Sequence, residues 1–322
     1  MKTTWLSCLF LLPAVLVSCS DYVPDSRPPH LVVDGWIDDG GFPTVLLTLS
    51  MPVGTDGTML ENVEDMIVST ARVAVSDGEQ EVVLTGKADR RYFPPFVYTT
   101  GRLRGQAGRT YRLTVDYEGG RAQAVTTIPA AMPPVRLSSE PCAGSDSLCL
   151  LTAAFPNPLG RQVYYKVFAG DASEGRTCYR SSFMGAFDGS LLPADARIPV
   201  YRGHEVSRRD FTPYFVRGER VNVKIAVMDR CSFDFWKSYE DMVSLSRNPL
   251  FPVTSNLAGN VEGAWGCWCG YGAREFSVAI GEDGTIRTDG PAPACSLRAG
   301  DGGRAGYGFQ EDAVGDDSGR LK

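Results

Sequence analysis

The feature that most constrains the fold of this chain is a strict two-residue alternation of apolar and polar side chains over residues 109–117. The apolar positions are Tyr111, Leu113, Val115 and Tyr117, and the residues between them are charged or polar. Because successive side chains of a strand point to opposite faces of a sheet, this segment is predicted to be a strand with one buried face. Gly119-Gly120 then predicts a tight turn into a second strand over residues 121–128.

Similar short segments separated by turn residues fill the region 31–130. The clearest of them are residues 31–37, 45–49, 71–75 and 81–84. Counting them gives about seven strands, which is typical of an immunoglobulin-like β-sandwich. A group of prolines that ends at Pro134 closes the region, so the sequence predicts a first, immunoglobulin-like domain at 31–130.

A second β-rich, sandwich-like domain is predicted at 135–288. Its strongest strand patterns lie at residues 148–155, 163–169 and 220–228. One helix is predicted near 233–246, with Ser232 as a candidate N-cap and Pro249 beyond its end. The aromatic stripe of this helix is consistent with two roles, docking on a sheet or lining a binding groove. The predicted fold class is therefore mainly β, with one helix in the second domain.

The last segment, residues 289–322, has a different composition. Glycine, aspartate, arginine and proline dominate it, and no apolar periodicity is present. Such a segment cannot bury enough apolar surface to offset the entropy of ordering. It is therefore predicted to be disordered.

The amino terminus carries the pattern of an export signal. An apolar run from Trp5 to Val17 ends in Leu16-Val17-Ser18-Cys19 and is shorter than the roughly 20 residues that span a bilayer. Two alternatives remain, an ordinary secretory signal and a lipoprotein signal that is cut before an acylated cysteine. We favour the second, with residues 1–18 as the signal peptide, Cys19 as the attachment site for lipid such as palmitate, and the polar residues 19–30 as a tether.

Charge and cysteine content restrict the partners. The chain has 32 basic and 38 acidic residues, a balance that argues against nucleic acid. Of its nine cysteines, cleavage removes Cys8 and acylation uses Cys19, so seven remain and at least one is unpaired. Cys142 and Cys149 flank a polar loop and are candidates for a disulfide, with two free thiols as the alternative.

Few residues suggest chemistry. Cys267-Trp268-Cys269 places two sulfurs on one face of a predicted strand, and small buried side chains are favoured over half of a metal site because zinc needs four ligands. The two histidines are His30 and His204, and no nucleophile elbow or paired-histidine metal motif is found. Asp38-Asp39 and Glu282-Asp283 lack the ligand spacing of a calcium loop. No catalytic, cofactor-binding or metal-ligating residue is predicted.

A series of motifs, in order along the chain, resembles one protein family. The motifs are Leu31-Val32-Val33-Asp34-Gly35-Trp36-Ile37, Gly108-Arg109-Thr110-Tyr111-Arg112-Leu113-Thr114-Val115, Thr127-Ile128-Pro129, Phe235-Trp236-Lys237-Ser238-Tyr239, Pro252-Val253-Thr254-Ser255-Asn256-Leu257 and Gly263-Ala264-Trp265-Gly266. They look like the Bacteroidota lipoproteins of domain-of-unknown-function family 4249, over roughly residues 16–282. The triplet at 267–269 and the sequence after Gly281 depart from the family pattern.

The resemblance implies a cell-envelope lipoprotein, often encoded beside a TonB-dependent outer-membrane transporter, and it supplies no catalytic residues. We therefore expect an outer-membrane lipoprotein that acts as a non-catalytic accessory or binding protein. Its expected partners are the membrane, through the lipid anchor, and a TonB-dependent transporter. Candidate contact residues are the aromatic side chains Tyr92, Phe93, Phe96, Tyr98 and Tyr214. Core packing is the alternative for each of them, and the proline pair at 94–95 favours an exposed loop for the first four. The alternative is an envelope hydrolase that acts on glycans or peptides through carboxylates.

Overall fold

The structure is a computed structural model that describes residues 29–50, 65–172, 179–203, 211–246 and 257–289. The predictions for the signal peptide, Cys19, His204 and residues 290–322 lie outside the described residues. Within the described ranges the chain is mainly β and has one α-helix, as the sequence predicts. No helix in these ranges is long and apolar enough to cross a membrane.

The described part of the chain contains eighteen strands and one α-helix. The first eight strands are β1 Leu31–Asp38, β2 Thr44–Leu49, β3 Arg72–Ser76, β4 Glu81–Val83, β5 Thr85–Ala88, β6 Phe96–Thr99, β7 Thr110–Tyr117 and β8 Gly120–Thr127. The remaining elements are β9 Arg136–Pro141, β10 Leu148–Pro156, β11 Tyr164–Asp171, β12 Arg180–Asp188, β13 Asp195–Val200, β14 Phe215–Val216, β15 Arg220–Met228, α1 Arg230–Ser246, β16 Val261–Glu262, β17 Trp265–Ile280 and β18 Ile286–Asp289.

These strands form three sheets. The central sheet has nine strands, in the order β12-β11-β15-β17-β1-β2-β6-β5 with β18 beside β17. A first outer sheet has the order β16-β8-β7-β3-β4, and a second has the order β13-β10-β14 with β9 beside β10. The two outer sheets pack on one face of the central sheet, each over a different half of it. The molecule therefore contains two sandwiches that share their central layer.

Strand β17 belongs to both sandwiches. Its first half pairs in parallel with β1, where Asp38 lies opposite Tyr271. Its second half pairs antiparallel with β15, where Met228 lies opposite the same Tyr271. Its 16 residues, at about 3.3 Å per residue, make it about 50 Å long. Strand β17 therefore extends through both sandwiches.

Each sandwich has its own core. The first core, under the first outer sheet, includes the fully buried Tyr111 and Trp268. The Trp268 indole N–H donates to the Tyr111 carbonyl at 3.1 Å, so a residue from the C-terminal half completes the first core. The second core, under the second outer sheet, includes Phe155 and Tyr165, whose ring centroids are 4.7 Å apart.

The segment that connects the two predicted domains crosses the inner face of β17. Two glycines of β17 make room for it. A Cβ at Gly270 would lie 3.0 Å from the Thr127 backbone, and one at Gly272 would lie 2.5 Å from the Ala130 carbonyl oxygen. Any larger side chain at these positions would push the connecting segment away from the strand, so the glycines let the sandwiches connect at close range.

Helix α1 covers the face of the central sheet opposite to the two cores. It begins at Arg230, three residues before the predicted start, and Asp229 caps it where the sequence suggested Ser232. One oxygen of the Asp229 carboxylate accepts the Ser232 N–H at 2.8 Å, and the other accepts the Thr126 hydroxyl at 2.8 Å. The cap therefore also ties the helix to the first sandwich, through β8.

The aromatic stripe of α1 packs on the central sheet. Phe233 stacks on Tyr164 with ring centroids 4.5 Å apart. The Trp236 indole N–H donates to the Tyr271 hydroxyl at 2.6 Å. Of the two predicted roles for this stripe, docking on a sheet is the one observed.

Candidate functional site beneath the helix

The sheet face under α1 carries charged side chains among apolar ones. Lys166 in β11 and Lys224 in β15 both lie on this covered face, because they alternate with residues that enter the second core. Glu240 reaches the same layer from α1. Asp38, at the end of β1, and Glu275, in β17, complete a group of five residues that we call the seam cluster. It lies where the two sandwiches meet.

Lys166 is completely buried, and its charge is met on several sides. Its ammonium lies 2.7 Å from Glu240 Oε1 and donates to the Ser181 hydroxyl at 2.8 Å. It also lies 4.6 Å from the centroid of the Trp236 ring, a cation–π distance. Burial lowers the pKa of Lys166 to about 8, although the Glu240 carboxylate favours the charged form.

Glu240 holds the helix to the edge of the sheet. Its Oε1 atom accepts the Lys166 ammonium and also the Ala186 backbone N–H, at 2.9 Å. Ala186 belongs to β12, so one carboxylate oxygen connects α1 to two neighbouring strands. The side chain is therefore part of the structural anchor of α1.

Lys224 forms the second ion pair of the cluster. Its ammonium lies 2.6 and 2.7 Å from the two carboxylate oxygens of Asp38. The Phe168 and Tyr271 rings flank it, with centroids 5.5 and 5.1 Å away. Because Asp38 comes from β1 and Lys224 from β15, this ion pair joins the two sandwiches directly.

Glu275 lies directly opposite Lys224 in the β15–β17 register. Burial raises the pKa of this carboxyl, the Lys224 ammonium opposes the rise, and the Asp38 carboxylate adds to it. Glu275 therefore lies beside the ion pair of Lys224 and Asp38, and its pKa is higher than that of an exposed glutamate.

The cysteine triplet of β17 divides between the two faces of the sheet, as the strand period predicts. Cys267 and Cys269 are buried under α1, and Trp268 lies in the first core on the other side. Hydrogen bonding to Cys269 and burial raise the pKa of the Cys267 thiol well above its usual value. Both thiols pack among the apolar side chains between α1 and the central sheet, which favours the interpretation as small buried side chains.

Three of the four acidic residues whose spacing does not fit a calcium loop have other roles. Asp38 pairs with Lys224, and Asp39 accepts the Ala107 N–H at 2.9 Å. Asp283 caps a turn by accepting both the N–H and the hydroxyl of Thr285. In the part of the chain that the structure describes, no three His, Cys, Asp or Glu side chains are grouped so that they could hold a metal ion.

The candidate contact aromatics fall into two groups. Phe93 is 76% exposed in the loop between β5 and β6, and its neighbour Tyr92 lies against Trp36 with ring centroids 6.0 Å apart. Tyr98 is buried, and its hydroxyl donates to the Val68 carbonyl at 2.9 Å. The prediction that Tyr98 supplies a contact surface is therefore wrong, because its ring belongs to the first core.

The other two candidates are half-buried. Phe96 packs edge-on against Tyr98, with centroids 5.5 Å apart, and Tyr214 packs against Tyr201, with centroids 6.2 Å apart. Phe93 is thus the most accessible of the five aromatic residues that the sequence suggested. It remains the best starting point for a contact surface.

The candidate disulfide joins two neighbouring strand ends. Cys149 in β10 is buried, and its thiol donates to the Phe215 carbonyl at 3.6 Å. Its partner in the β9–β10 register is Pro141, so Cys142 is one residue out of register with it. Both thiols are free in this structure, and the disulfide stays a prediction.

Two openings reach the surface near charged groups. A narrow cleft between β12 and α1, with a volume of only about 10 Å³, is lined by Met184, Tyr239 and the buried Glu240. A wider, open groove of about 500 Å³ lies at one end of the second outer sheet, with Arg136 and Asp195 in its lining. The first leads to the seam cluster, and the second is accessible to a larger ligand.

Sequence reasoning missed the seam cluster. The available signal was a lysine in the middle of an apolar strand, as in Val223-Lys224-Ile225. A charged residue at such a position needs a partner, but the partners are distant in sequence. Lys224 and Asp38 are separated by 186 residues, and Lys166 and Glu240 by 74.

The fold defines a class of protein: two β-sandwiches that share one central sheet, with a helix docked over their junction. Residues 20–277 match the profile of the family described as domain of unknown function (DUF4249), and the chain belongs to this family. A comparison with curated proteins found no match. The family description names no activity, so the function is argued from the residues themselves.

Proposed function

We propose that this protein is a lipid-anchored, non-catalytic accessory or binding protein of the bacterial cell envelope, associated with a TonB-dependent outer-membrane transporter. The observation that carries the proposal is the tetrad Leu16-Val17-Ser18-Cys19 at the end of an apolar run. Strand β1 begins at Leu31, so a short polar segment separates the expected lipid from the first sandwich. This arrangement suits a folded protein held close to a membrane surface.

The pairing of the buried charges supports binding over catalysis. A carboxylate that acts as a nucleophile or a general acid must face the substrate. Both oxygens of Asp38 face Lys224, and Glu240 faces Lys166 and the Ala186 N–H. These groups serve the docking of α1 and the junction of the sandwiches.

The exposed features supply candidate contact surfaces. Phe93 projects from its loop with three quarters of its surface exposed, so its ring is accessible to a partner. The open groove near Arg136 and Asp195 offers an apolar floor with one charge of each sign. A transporter loop or a surface polymer is the kind of partner that we expect at these places.

The anchor is tested with the variant Cys19→Ala. Membrane fractionation and metabolic labelling with a fatty acid are expected to show an unlabelled variant that leaves the membrane fraction. The variant Cys231→Ala is the matched control, because Cys231 is an exposed thiol on α1 and is expected to leave both results unchanged. Membrane retention of Cys19→Ala together with undiminished label would refute the anchor.

The partner is tested by crosslinking in intact envelopes followed by capture of the protein. A TonB-dependent transporter is expected among the captured proteins, and Phe93→Ala is expected to reduce its yield. Leu159→Ala is the control, since Leu159 is 65% exposed on the second sandwich, away from the Phe93 loop. Capture that never includes a transporter would count against the association.

The hydrolase alternative has one observation in its favour. Glu275 lies opposite Lys224, the partner of Asp38, and burial raises the pKa of Glu275, as a general acid requires. It predicts turnover of an envelope glycan or peptide that Glu275→Gln abolishes while the fold is retained. Wild-type protein that turns over none of a panel of such substrates would exclude it.

A further inference from the structure

The end of the first sandwich at which β1 and β17 begin has an unusual surface. We call this end the base. His30 precedes β1, and its carbonyl accepts the Ser50 N–H at 2.8 Å as β2 leaves the sheet. Trp265 begins β17, and Gly263 just before it packs against the Arg121 backbone at the start of β8. The base is therefore formed by strand ends from both sheets of the first sandwich.

Trp265 projects from the base into solvent. It is 51% exposed, whereas Trp268 in the same strand is fully buried. The His30 imidazole stacks on the Trp265 indole, with ring centroids 4.2 Å apart and planes 25° apart. The stack gives the indole a defined orientation at the point where the chain enters the fold.

The proposed lipid must lie close to this point. His30 is eleven positions after Cys19. A chain of that length has a maximum reach of about 40 Å. The base is therefore the part of the described fold nearest to the acyl chains. Tryptophan is also the side chain that prefers the interface between lipid and water.

We propose that the base rests on the membrane, with Trp265 inserted in the interfacial layer of the lipid. This inference rests on the lipid anchor proposed above. It sets the orientation of the whole molecule, because β17 begins at Trp265 and runs about 50 Å to the far end of the second sandwich. The second sandwich is thereby held away from the lipid, where its open groove is accessible.

The charges at the base indicate a contact that does not depend on anionic lipid. Arg72 and Arg121 both pair with Asp116, at 3.4 and 2.6 Å. Glu118 and Glu262 are exposed nearby. Arg72 also pairs with Glu81, at 3.0 Å, so the net charge of these six residues is −2, from two arginines and four acids. The contact is therefore expected in neutral phosphatidylcholine and to change little with salt.

The test uses the acylated full-length protein in phosphatidylcholine vesicles, with and without bromine-labelled acyl chains that quench nearby tryptophan. Wild-type emission is expected to fall in the brominated vesicles, and Trp265→Phe is expected to lose this quenching. Leu191→Ser is the matched control, since Leu191 is 84% exposed on the second sandwich, and it is expected to retain the quenching.

Two outcomes would overturn the inference: equal wild-type emission in both kinds of vesicle, or quenching that persists in Trp265→Phe. Flotation of the vesicles separates this result from the anchor itself. Protein that floats without quenching contradicts only the contact through Trp265. Protein that does not float contradicts the anchor, and this inference with it.

Discussion

The Lys224 ammonium lies within 2.7 Å of both carboxylate oxygens of Asp38, a residue 186 positions away in the sequence. Asp38 ends the first strand of the first sandwich, and Lys224 lies in the middle of a strand of the second. Lys224 is 5% exposed, so its charge needs this partner. The ion pair is thus a direct link between the two halves of the molecule.

Removing one member of this pair is expected to destabilise the fold. Lys224→Met leaves the Asp38 carboxylate without its counter-ion, and Asp38→Asn leaves a buried ammonium. Each change is expected to lower the free energy of unfolding by about 2–3 kcal/mol, measured by urea denaturation. The control Lys237→Ala breaks an exposed pair with Asp241 and is expected to cost less than about 0.5 kcal/mol. Equal losses for the buried and exposed pairs would contradict this role.

The buried Lys166 predicts a pH dependence of stability. Folding lowers its pKa from 10.5 to about 8, so between these values the unfolded chain binds more protons than the folded one. The contribution of this lysine to the free energy of unfolding therefore rises as the pH rises from 8 towards 10.5. Over this window, wild type is expected to gain stability relative to Lys166→Met.

The difference between these two proteins isolates the lysine. Burial raises the pKa of Tyr165 to about 12, and the opposite slope that it causes above pH 10 is common to both proteins. Lys237→Met, which removes an exposed lysine, should track wild type across the same range. A constant difference between wild type and Lys166→Met would show that Lys166 keeps its ordinary pKa.

The structure and the sequence indicate different N-cap residues for α1, and mutation of each residue tests which one is correct. Asp229→Ala removes the acceptor of the Ser232 N–H and of the Thr126 hydroxyl, and is expected to cost about 2 kcal/mol in thermal or urea unfolding. Ser232→Ala is expected to change stability by less than about 0.5 kcal/mol, because its buried hydroxyl has no hydrogen-bond partner among the described residues. A larger loss of stability for Ser232→Ala than for Asp229→Ala would show that Ser232 is the N-cap residue.

The sequence predicts local structure well where one face of a strand is buried. The alternation at residues 109–117 corresponds to β7, because Tyr111, Leu113 and Val115 fill the first core. The prediction from sequence is wrong at Tyr98, because the nearby proline pair favours an exposed loop whereas this aromatic ring is buried. The backbone of β6 turns that ring inwards, and only the tertiary fold shows this.

The seam cluster could not be predicted from the sequence, and the reason is physical. Asp38 stands in an Asp-Asp-Gly-Gly segment, where turn geometry explains an acid well enough. Its ion pair depends on β1 and β15 both lying beside β17, a non-local arrangement. The parallel pairing of β1 with β17 joins the two ends of the described fold and has no local signal.

Because the connecting segment crosses the inner face of β17 at close range, the strand is expected to require glycine where the two touch. Gly272→Ala places a Cβ 2.5 Å from the Ala130 carbonyl oxygen and is expected to cost more than about 2 kcal/mol of unfolding free energy. Gly101→Ala meets no atom within 4 Å and is expected to be neutral or slightly stabilising. Urea denaturation of both variants measures the contrast. If Gly272→Ala does not lower the free energy of unfolding, the connecting segment does not lie against β17.

The most direct measurement is the intact mass of the protein purified from the membranes of its native host. We expect a chain that begins at Cys19 and carries the added mass of acyl chains on that residue. A chain of unmodified mass, or one that still contains residues 1–18, would contradict the lipid anchor on which the proposed function rests.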